Sequence, residues 1–146
     1  MAIKVNFFEN QKTFSALYAA LTEGVRKNYA LTRADFDVLM FLYNNPQYDT
    51  AAQVVKYRRL VKSQVSVSVA ELSQRGFLTA AYSGGNKKTV FLTLTQSGKV
   101  VAEEGRSAQR TFAETLFGGF GEEEIQNVKS YLARALDNAE RFFGEK

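Results

Sequence analysis

Between residues 56 and 88 the chain carries Lys56, Arg58, Arg59, Lys62, Arg75, Lys87 and Lys88 against one acid, Glu71, for a net charge of +6. Ammonium and guanidinium groups gathered this densely suit the holding of phosphates, through charge and through donated hydrogen bonds. Residues 1 to 55 hold five basic and five acidic side chains, and residues 89 to 146 hold seven basic against nine acidic, so this one segment exceeds the whole formal charge of +4. Surface lysines and arginines are common, and an ordinary solvated face is the plain alternative. The concentration on one short stretch favours a nucleic-acid partner.

Other chemistries are closed by composition. There is no cysteine and no histidine, which removes disulfides, thiolate and imidazole metal sites, thiol redox sensing, and Ser-His or Cys-His catalysis. Glu122, Glu123 and Glu124 are adjacent and cannot converge on one cation from a helix, so they read as a helix start and not as a metal site. No nucleophile-base pair or carboxylate constellation is visible, and the expectation is a protein that is not an enzyme and needs no cofactor. The opening MAIKVNFFENQKTF lacks a basic segment followed by an apolar run, and no stretch approaches the roughly 20 apolar residues that span a bilayer. A cytoplasmic location is expected.

The basic residues must be positioned by a fold, and 146 residues with 45% apolar content suffice for one packed domain. Phe14, Leu17, Tyr18, Leu21 and Val25 repeat at helical spacing and predict a first helix over about 6–28. Thr32 with Asp35 forms a capping box opening a second helix, apolar nearly all round from Phe36 to Tyr43 and ended by Asn44-Asn45-Pro46. Asp49 or Thr50 can cap a short third helix over about 51–58. Ser63 offers a cap for a fourth, in which Val65, Val69 and Leu72 share a face. The alternation from Val65 to Val69 also fits a strand, but Leu72 at helical spacing and Gly76 as a stop favour helix.

A hairpin follows, Phe77 to Ser83 and Thr89 to Leu94, joined through Gly84 and Gly85. Two strands alone are marginal and must pack on the helices. Thr95 caps a long helix to about Phe117, roughly 34 Å at 1.5 Å per residue. Gly105 within it marks close packing or a mild kink. A break at Gly118-Gly119-Phe120-Gly121 precedes an amphipathic last helix. The fold class is mainly α with a small β-hairpin wing. A winged helix-turn-helix over 32–95 is flanked by helical regions, 1–30 and 96–146, within a single domain of 1–146.

In a winged helix-turn-helix the second short helix enters the major groove while basic groups around it hold phosphates. With Val65, Val69 and Leu72 turned to the core, the opposite face presents Ser63, Gln64, Ser66, Val67 and Ala70. Gln64 can bond an adenine edge bidentately, the serine hydroxyls can donate or accept, and Val67 or Ala70 can pack on a thymine methyl. Ser66 is preferred over Ser68 for the groove. Arg58, Arg59 and Lys62 join these as candidate DNA contacts.

From Leu31 to Gly98 the chain resembles the MarR family of bacterial regulators, through LTRADFDVLMFLY, AELSQRGFL and VFLTLTQSGK. The resemblance implies a winged helix-turn-helix regulator, most simply a repressor, that binds a pseudo-palindromic duplex as a homodimer held by the first helix and the last two. A long helix and an amphipathic last one want an apolar partner on their own account. The family's wing carries Asp-Arg-Arg where Asn86, Lys87 and Lys88 stand here. Arginine's planar fork suits a narrow minor groove and lysine is a compact, strongly hydrated charge, so the wing is expected to add affinity more than selectivity.

The resemblance also suggests a small aromatic or phenolic effector. Phe7, Phe8, Tyr18, Tyr43 and Tyr48 are the aromatic positions that could line its pocket, with Tyr18 and Tyr43 foremost, against the plainer reading of core packing. The competing function is a winged-helix protein-interaction module without sequence-specific DNA binding, favoured by the missing wing arginines and the apolar Val67.

Overall fold

The computed structural model describes residues 5–85 and 88–144. In chain order the elements are α1 (Phe7–Asn28), α2 (Arg33–Asn44), α3 (Ala51–Arg58), α4 (Lys62–Gln74), β1 (Leu78–Tyr82), β2 (Val90–Leu94), α5 (Gln96–Leu116) and α6 (Glu122–Phe142). They fall into two compact units, Met1–Phe112 and Ala113–Lys146.

Local chemistry sets the helix starts of the first unit. The Asn6 side chain accepts hydrogen bonds from the Phe8 and Glu9 amides, which opens α1. At α2 the Thr32 hydroxyl accepts from the Asp35 amide at 3.0 Å, and the Asp35 carboxylate accepts from the Thr32 amide at 3.1 Å. This reciprocal pair explains how Asp35 can be buried. Thr32→Ala should therefore cost about 1 kcal/mol of stability, read from denaturant unfolding; no change would show that the cap is dispensable. Thr50 caps α3 in the same way with Gln53.

The start of α4 differs from expectation. The helix begins at Lys62 and its N-cap is Val61, which has extended backbone angles and offers no side-chain cap. The Val61 carbonyl accepts from the Val65 amide at 3.0 Å, so Ser63 lies inside the first turn and is not the cap. The remainder of α4 is helical, as Leu72 and Gly76 indicated; Val65, Ser68, Val69 and Leu72 are buried.

The apolar α2 is the centre of the core, with Phe36, Val38 and Leu39 packed beside Val54 of α3, Leu72 of α4 and Val101 of α5. The two strands pair antiparallel from Leu78 opposite Leu94 to Tyr82 opposite Val90. They are not left to themselves. Leu78 and Leu92 are buried in the core, Thr50 forms an isolated bridge with Phe91, and the Leu92 amide donates to the Asp49 carbonyl at 2.7 Å. The base of the hairpin is thereby tied to the start of α3.

Gly105 is a close-packing point: a Cβ there would stand 2.5 Å from the Met40 sulfur and 2.8 Å from the Phe36 ring. In the second unit the Gly121 amide donates to Glu124 at 2.7 Å at the head of α6. Tyr131, Leu132 and Leu136 on α6 are each more than half exposed. Among the described residues no helix is long and apolar enough to cross a membrane.

Candidate nucleic-acid interface

Burial of Val65, Val69 and Leu72 fixes the rotation of α4 about its axis. Ser63, Gln64, Ser66, Val67 and Ala70 are exposed on its other face, with Val67 at 69%. Ser66 is exposed where Ser68 is buried. Ser63, Gln64 and Val67 form one wall of a groove whose other wall is the start of α2, at Thr32 and Arg33. Because no side chain caps α4, its first-turn amides lie at the positive end of the helix dipole, suited to a phosphate oxygen.

The basic groups divide into two sets. Arg58 is tied to α2 by an ion pair in which its Nη2 donates to Asp37 Oδ1 at 3.1 Å. Arg75 is a structural clamp, its guanidinium donating to the Tyr29 carbonyl and, at 2.9 Å, to that of Ala30. Lys56 lies over the Tyr57 ring, 5.1 Å from its centroid. Arg59, the C-cap of α3, has φ of 58°, a left-handed conformation uncommon for a residue with a side chain, and it turns the chain sharply toward α4. Lys62 opens α4 and is exposed, and Lys88 is exposed beyond the turn of the wing. Asn86 and Lys87 lie outside the described residues.

The two tyrosines foremost for an effector occupy different places. Tyr18 lines a cleft of about 500 Å³ formed by α1, α2, the end of α3 and α5. Tyr43 stands two turns beyond Phe36 on α2 and lines another cleft, of about 380 Å³, with Tyr48 and Asp49. Phe7 and Phe8 are exposed and line neither.

The larger cleft holds a charge cluster that sequence reasoning missed: Arg26 of α1, Arg33 and Asp37 of α2, and Arg58 of α3. Its one sequence signal was Asp37, a carboxylate beside the apolar run of α2. Burial pushes the Asp37 carboxyl above its ordinary value, and Arg58, then Arg26 and Arg33, pull it back. Burial also raises the Tyr18 phenol, whose oxygen accepts a hydrogen bond from Gln109 at 2.8 Å. The phenol therefore stays neutral near pH 7.

Two short helices joined by a tight turn, the second with a free polar face, followed by a hairpin whose base is locked to them, define a winged helix-turn-helix protein. Residues 31–88 match the model of the MarR family.

Solved structures share the fold. A MarR family transcriptional regulator from Listeria monocytogenes, complexed with 26mer DNA, is 19% identical with a TM-score of 0.81, covering 99% of this chain and 98% of its own. The S. aureus MepR–DNA complex is 18% identical with a TM-score of 0.76, over 93% and 99% of the two chains. Bordetella bronchiseptica BpsR, whose DNA binding is regulated by 6-hydroxynicotinic acid, is 23% identical with a TM-score of 0.68, over 87% and 95%. Comparison with curated protein sequences returns no match.

Proposed function

We propose that the chain represses transcription by binding a pseudo-palindromic duplex as a homodimer, and that a small organic ligand modulates this binding. The observation that carries the proposal is the exposed face of α4, with Gln64 and Ser66 beside the apolar Val67, inside the segment that holds all the excess positive charge. Bidentate amide, hydroxyl and methyl-sized apolar groups are what reading base edges in a major groove requires. Arg59, Lys62 and the wing residues Asn86, Lys87 and Lys88 supply phosphate contacts on this reading, and Ser63 and Ala70 complete the face of α4.

The dimer is supported by the apolar residues that each unit exposes. Phe7, Phe8 and Phe14 of α1, and Tyr131, Leu132 and Leu136 of α6, are all more than half exposed. That much exposed apolar surface marks an association site. A two-fold pair of α4 helices then calls for two half-sites. Ligand response is supported by the clefts beside Tyr18 and Tyr43 and by the ligand-regulated relative.

The test is selection of bound sequences from a random duplex library, followed by titration of the selected duplex. Saturable binding by two chains per duplex is expected. Gln64→Ala should narrow the preference for the selected duplex over one altered at the contacted base by about tenfold to a hundredfold, the worth of one bidentate base contact. No saturable binding to any duplex pool at low salt would instead favour a protein-interaction module.

A further inference from the structure

Resting on the reading that the chain grips a two-part duplex site as a dimer, we propose that Arg75 sets the half-site spacing. It does so as a positioning residue, by holding the end of α4 to the end of α1. The two helices stop in the same way. At α4, Gly76 takes φ of 81°, the Phe77 amide donates to the Leu72 carbonyl at 2.9 Å, and the Gly76 amide donates to that of Ser73 at 3.1 Å. At α1, the Leu31 amide donates to the Arg26 carbonyl at 2.8 Å and the Ala30 amide to that of Lys27 at 3.3 Å. The left-handed position of this second stop is Ala30, with φ of 52°, where glycine is the ordinary occupant.

Arg75, the C-cap of α4, joins the two stops. Its Nη1 donates to the Ala30 carbonyl at 2.9 Å and its Nη2 to that of Tyr29. These oxygens lie at the negative end of the α1 dipole, which favours a cation. The guanidinium carbon stands 5.0 Å from the centroid of the Phe77 ring. That ring meets Tyr29 edge to face, with centroids 6.3 Å apart, and the Tyr29 hydroxyl donates to Glu104 of α5. A planar fork can span two carbonyls while resting on a ring, whereas a lysine ammonium is a point charge without that geometry.

The clamp matters because so little else buries α1. Of its residues only Thr22 is buried. Phe7, Phe8 and Phe14 are exposed toward its start, where the proposed dimer associates. From there to the clamp the helix runs roughly 33 Å at 1.5 Å per residue. A small change of angle where α1 meets α4 thus displaces α4 relative to its two-fold mate. Steps along a duplex strand are about 3.4 Å apart, so a displacement of that size exchanges one spacer length for another.

The test titrates the full chain with the selected duplex and with versions whose half-sites stand one base pair closer or farther apart. The unaltered chain is expected to prefer the selected spacer by about tenfold, and Arg75→Gln to lose most of that preference or move it to a neighbouring spacer. Arg75→Lys, which keeps the charge and loses the fork, should fall between, and it carries the test where Arg75→Gln fails to fold. The ratio between spacers does not depend on the folded fraction, so a residue that only stabilised the fold would leave it unaltered. Base preference within a half-site and the salt slope should stay as they are. An unaltered spacer ratio overturns the proposal, as does a shallower salt slope in Arg75→Gln, which would make Arg75 a phosphate contact instead. A second readout needs no DNA. The chain has no cysteine, so Ser66→Cys on α4 takes one spin label per chain, and pulsed dipolar spectroscopy reads the distance between the two copies. One narrow distribution is expected, broadened or shifted by Arg75→Gln; an unchanged distribution overturns the clamp. Failure of any duplex to bind would overturn the regulator reading, while the label distances still decide whether Arg75 holds α4 in place.

Discussion

Gly98→Ala is expected to destabilise the chain by about 3 kcal/mol, at the upper end of what overpacking costs. A Cβ at position 98 would stand 1.9 Å from the Phe77 carbonyl oxygen and 2.9 Å from its carbon. These are backbone atoms with no rotamer to escape into. The same carbonyl accepts from the Thr95 amide at 3.1 Å, while the Thr95 hydroxyl donates to the Gly76 carbonyl at 2.6 Å and accepts from the Gly98 amide at 3.1 Å. One knot thus joins the end of α4, the foot of the wing and the start of α5. Moving Phe77 to admit a methyl would strain all three.

Two other glycines calibrate the effect. Gly105→Ala meets the flexible Met40 side chain and the Phe36 ring, and should cost less, about 1–2 kcal/mol, because the sulfur can yield. Gly24 lies within α1 with nothing within 4 Å of an added Cβ, and Gly24→Ala should stabilise by about 0.5–1 kcal/mol through helix propensity. Denaturant unfolding of the three variants under identical conditions checks the order. A Gly98→Ala loss below about 1 kcal/mol would mean that the α4 to wing junction repacks freely.

What the sequence disclosed and what it hid follow from range. The caps at Thr32 and Thr50 and the apolar stripe of α4 depend on residues three or four apart, and each lies where its pattern predicted. Thr95 was legible too, though only in its local role as a cap; its bond to Gly76 spans a hairpin and leaves no local pattern. The start of α4 was misplaced because Ser63 is a good cap by type, whereas backbone extension at Val61 set the boundary. Arg58 shows the larger gap. Counted by position it belongs to the phosphate-binding set, but its partner Asp37 is 21 residues earlier, and only the packing of α3 on α2 brings them together. Tyr18 and Tyr43 were grouped by residue type and are separated by the length of α2. The division at Phe112 leaves no mark in composition, since α5 runs through it without a break.

That partition of the basic residues changes what salt should do to DNA binding. Arg58 and Arg75 hold partners inside the chain, and on the function proposed above the phosphate contacts of each protomer are those of Arg59, Lys62, Lys87 and Lys88. A dimer then neutralises about eight phosphates, and duplex affinity should fall by about 10⁴ between 50 and 200 mM salt, from a slope near −0.9 per phosphate. Replacing Lys87 and Lys88 together by alanine removes about four of these contacts, so the same salt change should cost only about 10². Arg58→Gln should leave the slope unaltered, because its charge is already committed to Asp37. Fluorescence anisotropy of the selected duplex across a salt series measures all three. An unchanged slope in the lysine double variant would remove the wing from the interface. A shallower slope in Arg58→Gln would return that residue to the phosphate-binding set and show that the bound state breaks its bond to α2.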